Sequence, residues 1–238
     1  ARQVGAERAL AARHLVDRVH QHLRRAALGH VAARAGLERK LIAPAQPEAD
    51  PPAEAIWETD KALRRRVQLH PEKYAAAGPG AAYVAHAIDA HADVADARAV
   101  RPVAGTVRVF VKSHSGIGVP SAAVLAAVQN YLSGEERRPL CDTVEVRAGS
   151  AKSIAISYKT TFEDGPDKAL VAAQQRADLE AVLAEHRGLG VKLALSKIIG
   201  ALDVVGAQKV ELQSPTADIV CADGEFIHVT AITATEAV

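Results

Sequence analysis

The chain has 238 residues, 49% of them hydrophobic but only 3% aromatic, so its cores are built from Val, Leu, Ile and Ala, and its length allows one large domain or two to three small ones. Lys and Arg total 29 against 28 Asp and Glu, a net charge of +1, which leaves no whole-molecule field to draw the chain to nucleic acid or to a membrane surface. Cys141 and Cys221 have no CxxC or Cys/His neighbour pattern. That excludes a disulfide scaffold and a zinc site, and it fits a reducing compartment.

No apolar run approaches the ~20 residues that a bilayer span needs, and no secretory signal opens the sequence. Met is absent and the sequence starts at Ala1 directly in helical pattern, from which further N-terminal sequence ahead of this chain is expected.

Residues 7–35 are predicted to form one helix. Ala12, Leu15, Val16, Val19, Leu23, Ala26, Ala27 and His30 fall on one stripe, with Arg13, Arg18, Gln21, Arg24 and Arg25 opposite. Gly36 is the expected stop. A lone helix cannot bury such a stripe, so it is expected to pack on missing sequence or on another chain. Residues 1–40 hold nine cations and three anions, +6 against −5 for the remainder. A basic arm of this kind reads either as a solvated helix face, with an acidic partner surface opposite, or as a nucleic-acid arm. It carries no aromatic residue to stack on a base.

Four prolines within 43–55 exclude helix and central strand and predict an extended linker. Thr59 is the expected cap of a helix to about Leu69, with Asp60 in its first turn. Gly78-Pro79-Gly80 is a turn, and Pro79 opens a helix to about Ala90. Strands are predicted over 97–101 and 106–112, a helix capped by Ser121 over 122–133, and a strand over 142–148. In 153–162, Ile154, Ile156, Tyr158, Thr160 and Phe162 share one face. Pro166 opens a helix to about His186, which Gly188 and Gly190 end. Ser196 starts a short helix through Leu202, and strands follow at 207–213 and 226–233.

Catalytic patterns are not found. Ser115-Gly116-Ile117-Gly118-Val119-Pro120 lacks the third glycine of a dinucleotide fingerprint and the Gly-Lys-Ser/Thr of a P-loop, and reads as a plain strand-to-helix connection. His14, His20, His22 and His30 include no i, i+4 pair, and His86 and His91 are five apart, without a His-Glu-x-x-His. No Gly-x-Ser-x-Gly is present. Glu163, Asp164 and Asp167 precede a helix, where acidic groups stabilise its N-terminus without any catalytic role.

Several stretches in order resemble a known family: Trp57-Glu58-Thr59-Asp60-Lys61-Ala62-Leu63, Ala77-Gly78-Pro79-Gly80, Asp93-Val94-Ala95-Asp96-Ala97, Arg138-Pro139-Leu140-Cys141-Asp142-Thr143-Val144-Glu145-Val146, Gly165-Pro166-Asp167, Ser196-Lys197-Ile198-Ile199-Gly200-Ala201-Leu202, Val210-Glu211-Leu212-Gln213-Ser214-Pro215 and Asp218-Ile219-Val220. In this order and spacing they resemble the baseplate protein J family of contractile-tailed phages and pyocin-like particles, over about residues 40–238 and more loosely over the arm. The resemblance implies a non-enzymatic structural wedge protein, assembled in the host bacterial cytoplasm into the virion tail baseplate. There it would link wedges into a ring around the central spike hub and take part in the rearrangement that triggers sheath contraction. It further implies, as partners, neighbouring copies of itself, a small lysozyme-like wedge protein, a tail protein I type wedge protein and nearby spike or hub proteins, with no cofactor, no metal, no membrane and no nucleic acid.

The expected architecture is α+β: a helical arm (1–42) joining the wedge core bundle, a proline-rich linker (43–56), and two small α+β modules (57–150 and 151–238). The expected partner interface is the arm stripe of Leu15, Val16, Val19 and Leu23. The alternative function is nucleic-acid binding through the basic arm.

Overall fold

In the computed structural model the described residues are 27–48, 51–74, 80–134, 137 and 141–236. They belong to an α+β fold and fall into two compact units, Ala1–Ala85 and His86–Val238.

In the first unit, the described end of the arm is helical over 27–34 (α1). It stops as expected at Gly36, whose φ of 67° suits a residue without a Cβ. The Gly36 amide donates to the Ala33 carbonyl at 2.9 Å and the Leu37 amide to the Ala32 carbonyl at 2.9 Å, the paired bonds of a Schellman stop. Its apolar contact follows, because Leu28, Ala32, Leu37 and Leu63 share a small core with Ala35 and Val67 against it. At this end Ala27 and His30 of the expected stripe are exposed, and a neighbouring face that the sequence reading did not name, Leu28 and Ala32, is buried. This end of the helix packs on the chain's own helix α2 (Asp60–Leu69) through Leu63, so the packing crosses residue 57.

The proline-bearing stretch, expected to run extended, folds back on itself. Strands β1 (Leu41–Ala43) and β2 (Ile56–Trp57) pair antiparallel, and Gln46 and Ala53 exchange backbone bonds of 2.8 and 3.0 Å. Prolines at 44, 47, 51 and 52 limit each ladder to two or three residues, since proline cannot donate. Helix α2 begins where expected, with the Thr59 hydroxyl accepting from the Ala62 amide at 3.3 Å. A short 3₁₀ turn, His70–Tyr74, follows it, and helix α3 (Gly80–Ala90) spans the division between the units.

Two three-stranded sheets organise the second unit. In the first, β3 (Val94–Val103) pairs antiparallel with β4 (Thr106–Ser113), and β4 pairs parallel with β5 (Thr143–Ala148). Helix α4 (Ala122–Leu132) connects those parallel strands, as parallel pairing requires a crossover. Its Ser121 cap accepts from the Val124 amide at 3.4 Å. Val109 and Val111 of β4 and Val124, Val128 and Leu132 of α4 are buried, the period-2 and period-4 faces that the sequence shows.

Strand β5 passes through Gly149 straight into β6 (Ser150–Phe162), which is the centre of the second sheet. Strand β8 (Ala207–Ser214) lies antiparallel on one side of β6, and β10 (Glu225–Glu236) lies parallel on the other. Helices α5 (Lys168–Glu185) and α6 (Leu195–Leu202) cover this sheet, whose core joins Ile156, Tyr158, Leu179, Leu183, Ile198 and Leu202. The Asp167 carboxylate caps α5 by accepting from the Ala169 amide at 2.9 Å. Helix α6 starts one residue before the expected Ser196, from Ala194, with no side-chain cap bond. Two-residue strands β7 (Lys192–Leu193) and β9 (Ile219–Val220) pair antiparallel beside the core.

Gln175 on α5 is buried and joins three elements. Its amide donates to the Leu202 carbonyl at 2.6 Å and its oxygen accepts from the Thr160 hydroxyl at 3.2 Å. It thereby satisfies a helix-end carbonyl that would otherwise be left in the core.

Candidate assembly surfaces

The glycine-rich loop after β4 is held by Asp93, at the start of β3. Its carboxylate accepts from the Ser113 hydroxyl, from the Ser115 amide at 3.0 Å and from the Ser115 hydroxyl at 2.7 Å. Burial alone would raise this carboxyl, but the serine donors outweigh it and hold it below the usual aspartate value. The loop is thus a strand-to-helix connection tied by an acidic side chain, an unfavourable place for phosphate.

Cys141 is exposed and Cys221 buried, both as free thiols, and burial pushes the Cys221 thiol up. Among the described residues no three His, Cys, Asp or Glu side chains are grouped as metal ligands, and no helix is long and apolar enough to cross a membrane.

In the first unit, the Arg66 guanidinium meets the Glu58 carboxylate at 2.7 Å, and both side chains are buried. Arg66 also donates to the Glu38 carbonyl at 3.0 Å, and the Lys40 amide to the Glu58 carboxylate at 3.2 Å. Arg39 pairs with Asp60 at 2.6 Å and donates to the Glu58 carbonyl. Burial, followed by the charge of Arg66, brings Lys40 down to about 8. Three residues of the basic segment, Glu38, Arg39 and Lys40, are therefore engaged within their own unit. Beside this network Leu41, Ile56 and Trp57 stand on the β1–β2 pair with roughly half of each side chain in water, an apolar surface on a two-stranded sheet. The arm residues Leu15, Val16, Val19 and Leu23 lie outside the described residues.

The sheet edges differ in how they are finished. The outer edge of β5 is closed by a side chain. The Gln129 amide of α4 donates to the Val144 carbonyl at 2.9 Å, and its oxygen accepts from the Val146 amide at 2.9 Å, so one glutamine occupies two adjacent groups that an added strand would use. On β10 the outer edge is met only near its start, by the Leu189–Phe226 bridge and the Gly190 amide bonded to the Glu225 carbonyl. Beyond that, among the described residues, no strand pairs with it, and residues 230–236 are mostly exposed. Strand β8 ends the other side of the same sheet. Sequence reasoning named neither edge, because alternation tells which face is buried but not which strand lies outermost.

The two sheets of the second unit meet along a seam. Asp96 of β3, buried, accepts from the Ala97 amide at 2.7 Å with one oxygen and from the Leu189 amide at 2.8 Å with the other. Arg98 pairs with Asp223 at 2.8 Å. Lys112 lies 4.7 Å above the Phe226 ring and donates to the Arg187 carbonyl.

Comparison with known proteins adds two domain matches. Residues 75–148 match the model of the baseplate J-like central domain, and residues 154–235 match that of the baseplate J-like protein C-terminal domain. The chain is 35% identical over 190 residues to the Baseplate protein J of Escherichia phage P2, across 80% of this chain and 63% of that protein. It thus spans less than two thirds of the length of this relative. A chain in the cryo-EM structure of the anti-feeding prophage baseplate superposes with a TM-score of 0.49 at 13% identity, covering 75% of this chain and 44% of that one.

Proposed function

This chain belongs to the baseplate J-like family, and on that premise we propose that it is a structural, non-catalytic subunit of the baseplate of a contractile tail or phage-derived injection particle. The observation that carries the proposal is the run of two adjacent domain matches, 75–148 and 154–235, which together take in most of the second unit. In this reading the chain is a wedge component. It is assembled in the host cytoplasm and joined to further copies and to other wedge proteins in a ring around the spike, and it takes part in the rearrangement that releases the sheath.

The physical features support such work. Buried cores of Val, Leu and Ile make stiff modules. The outer edges of β8 and β10 offer backbone groups to an added strand, whereas Gln129 takes up two of those at the middle of β5. The arm stripe of Leu15, Val16, Val19 and Leu23 supplies the face of a helical bundle with wedge partners, each large side chain contributing on the order of 1.5–3 kcal/mol when buried.

The arm separates this proposal from one based on charge. In cells producing the particle, Leu15→Asp combined with Leu23→Asp is expected to abolish incorporation of the chain into baseplates. Charge reversal at Arg24 and Arg25 is expected to weaken it only modestly, because exposed ion pairs contribute little. Loss of incorporation with the arginine change, and none with the leucine change, would show that the arm acts by charge.

A further inference from the structure

From the seam between the two sheets we infer that the second unit, His86–Val238, is one mechanical body, its two sheets moving together in any rearrangement the chain undergoes. The inference goes beyond the assembly proposal and does not depend on it.

Three observations meet at the seam. The first is covalent and sheet continuity. Strand β5 of the first sheet becomes β6 of the second through Gly149, whose amide donates to the Val111 carbonyl at 2.7 Å, while the next amide, of Ser150, donates to the Gly224 carbonyl at 2.8 Å. The link between the domains is thus itself a hydrogen-bonded strand and not a loop.

The second is steric. A Cβ on Gly149 would stand 2.9 Å from the Leu189 side chain and 3.0 Å from the Val111 oxygen. One on Gly190 would stand 2.7 Å from the Arg98 guanidinium carbon, and one on Gly224 would stand 2.6 Å from the Phe110 ring. Backbone from one domain is thus laid directly on side chains of the other, at a distance that leaves no room for sliding.

The third is polar. Asp96, buried, holds an amide of each domain, Ala97 on its own strand and Leu189 across the seam. Sliding one sheet past the other while the seam stays dry would leave a buried carboxylate and a buried amide without each other, which is strongly disfavoured. The Arg98–Asp223 pair and Lys112, over the Phe226 ring and bonded to the Arg187 carbonyl, close the rim.

The test uses the full chain and two readouts. In native-state hydrogen exchange, the amides of Gly149, Ser150 and Leu189 are expected to exchange within about tenfold of the core amide of Ile156, because opening the seam and unfolding the sheets would be one event. Exchange a hundredfold or more faster at these three amides would overturn the inference. In Asp96→Ala with Arg98→Ala, the Leu189 amide is expected to speed up by a hundredfold or more while Ile156 stays protected. Unchanged protection of Leu189 there would show that these contacts are not the lock.

Spin labels at the exposed positions Asn130 and Gln174, with Cys141→Ser, supply the second readout and need no seam variant. One narrow distance distribution is expected, and a broad or double one overturns the inference even if the double variant fails to fold.

Discussion

At position 66 an arginine sits in the first unit with its guanidinium 2.7 Å from the Glu58 carboxylate, the two side chains 8% and 3% exposed. A buried pair of this kind is weak evidence for net stability, but removing one member leaves the other charge buried alone. Arg66→Ala is therefore expected to destabilise the unit by about 3–5 kcal/mol, read from chemical unfolding followed by the fluorescence of Trp57.

The same cluster has a pH signature. Lys40 falls to about 8 from the ordinary 10.5, chiefly through burial, and Lys73 is lowered for the same reason. Between those two values the unfolded chain holds a proton that the folded Lys40 has released, so this group's contribution to stability rises with pH through that window and is flat below it. Unfolding midpoints at pH 7 and pH 10 should show this rise, and Lys40→Met should reduce it. An unchanged pH dependence in the variant would contradict the assignment. Sequence alone places Arg39, Lys40 and Arg66 on a basic arm and a helix. Their shared partners, Glu58 and Asp60, are about 20 positions from the arm, and no local pattern couples them.

Elements set by local chemistry were legible. Thr59 and Ser121 each cap the helix that their position announces, because capping needs only the next three residues. Asp167 caps α5, which starts two residues after the Pro166 at which that helix was expected to open. Strands β4, β6 and β8 follow from alternation. Strands β7 and β9 were missed, since two residues carry no period. In the last turns of the arm the buried face of Leu28 and Ala32 was not read, because the stripe through Ala26, Ala27 and His30 fits the helical period as well. The packing of Leu63 decides between them.

Sheet edges are likewise a matter of long-range pairing, and Gln129 is the element-scale test. Gln129→Leu would leave the Val144 carbonyl and the Val146 amide without their partner. It is expected to lower stability by about 1–3 kcal/mol and to make the chain self-associate through the opened β5 edge. Sedimentation of the variant as an unchanged species, with unchanged unfolding, would show that the edge is protected by other means.

At the scale of the whole molecule the order of helices and strands placed the chain in the α+β class, and the ordered motifs carried the family. Two things were out of reach of the sequence. One is the seam, which brings Asp96 to Leu189 and Arg98 to Asp223 across about 90 and 125 positions. The other is the parallel pairing of β10 with β6, residues 225 and 150 aligned at its start, which ties the C-terminal strand back to the join between the two sheets. Both depend on contacts distant in sequence, where periodicity is silent.

The reading of the chain as a structural baseplate subunit is tested most directly by a cryo-EM reconstruction of an intact contractile particle that carries it, at a resolution that separates its sheets. The expected result is density at the baseplate, repeated around the central spike, into which residues 86–238 fit as one body with neighbouring protein on the β8 or β10 edge. A particle with a complete baseplate that lacks the chain, or one that holds it only in the tube or sheath, would contradict it.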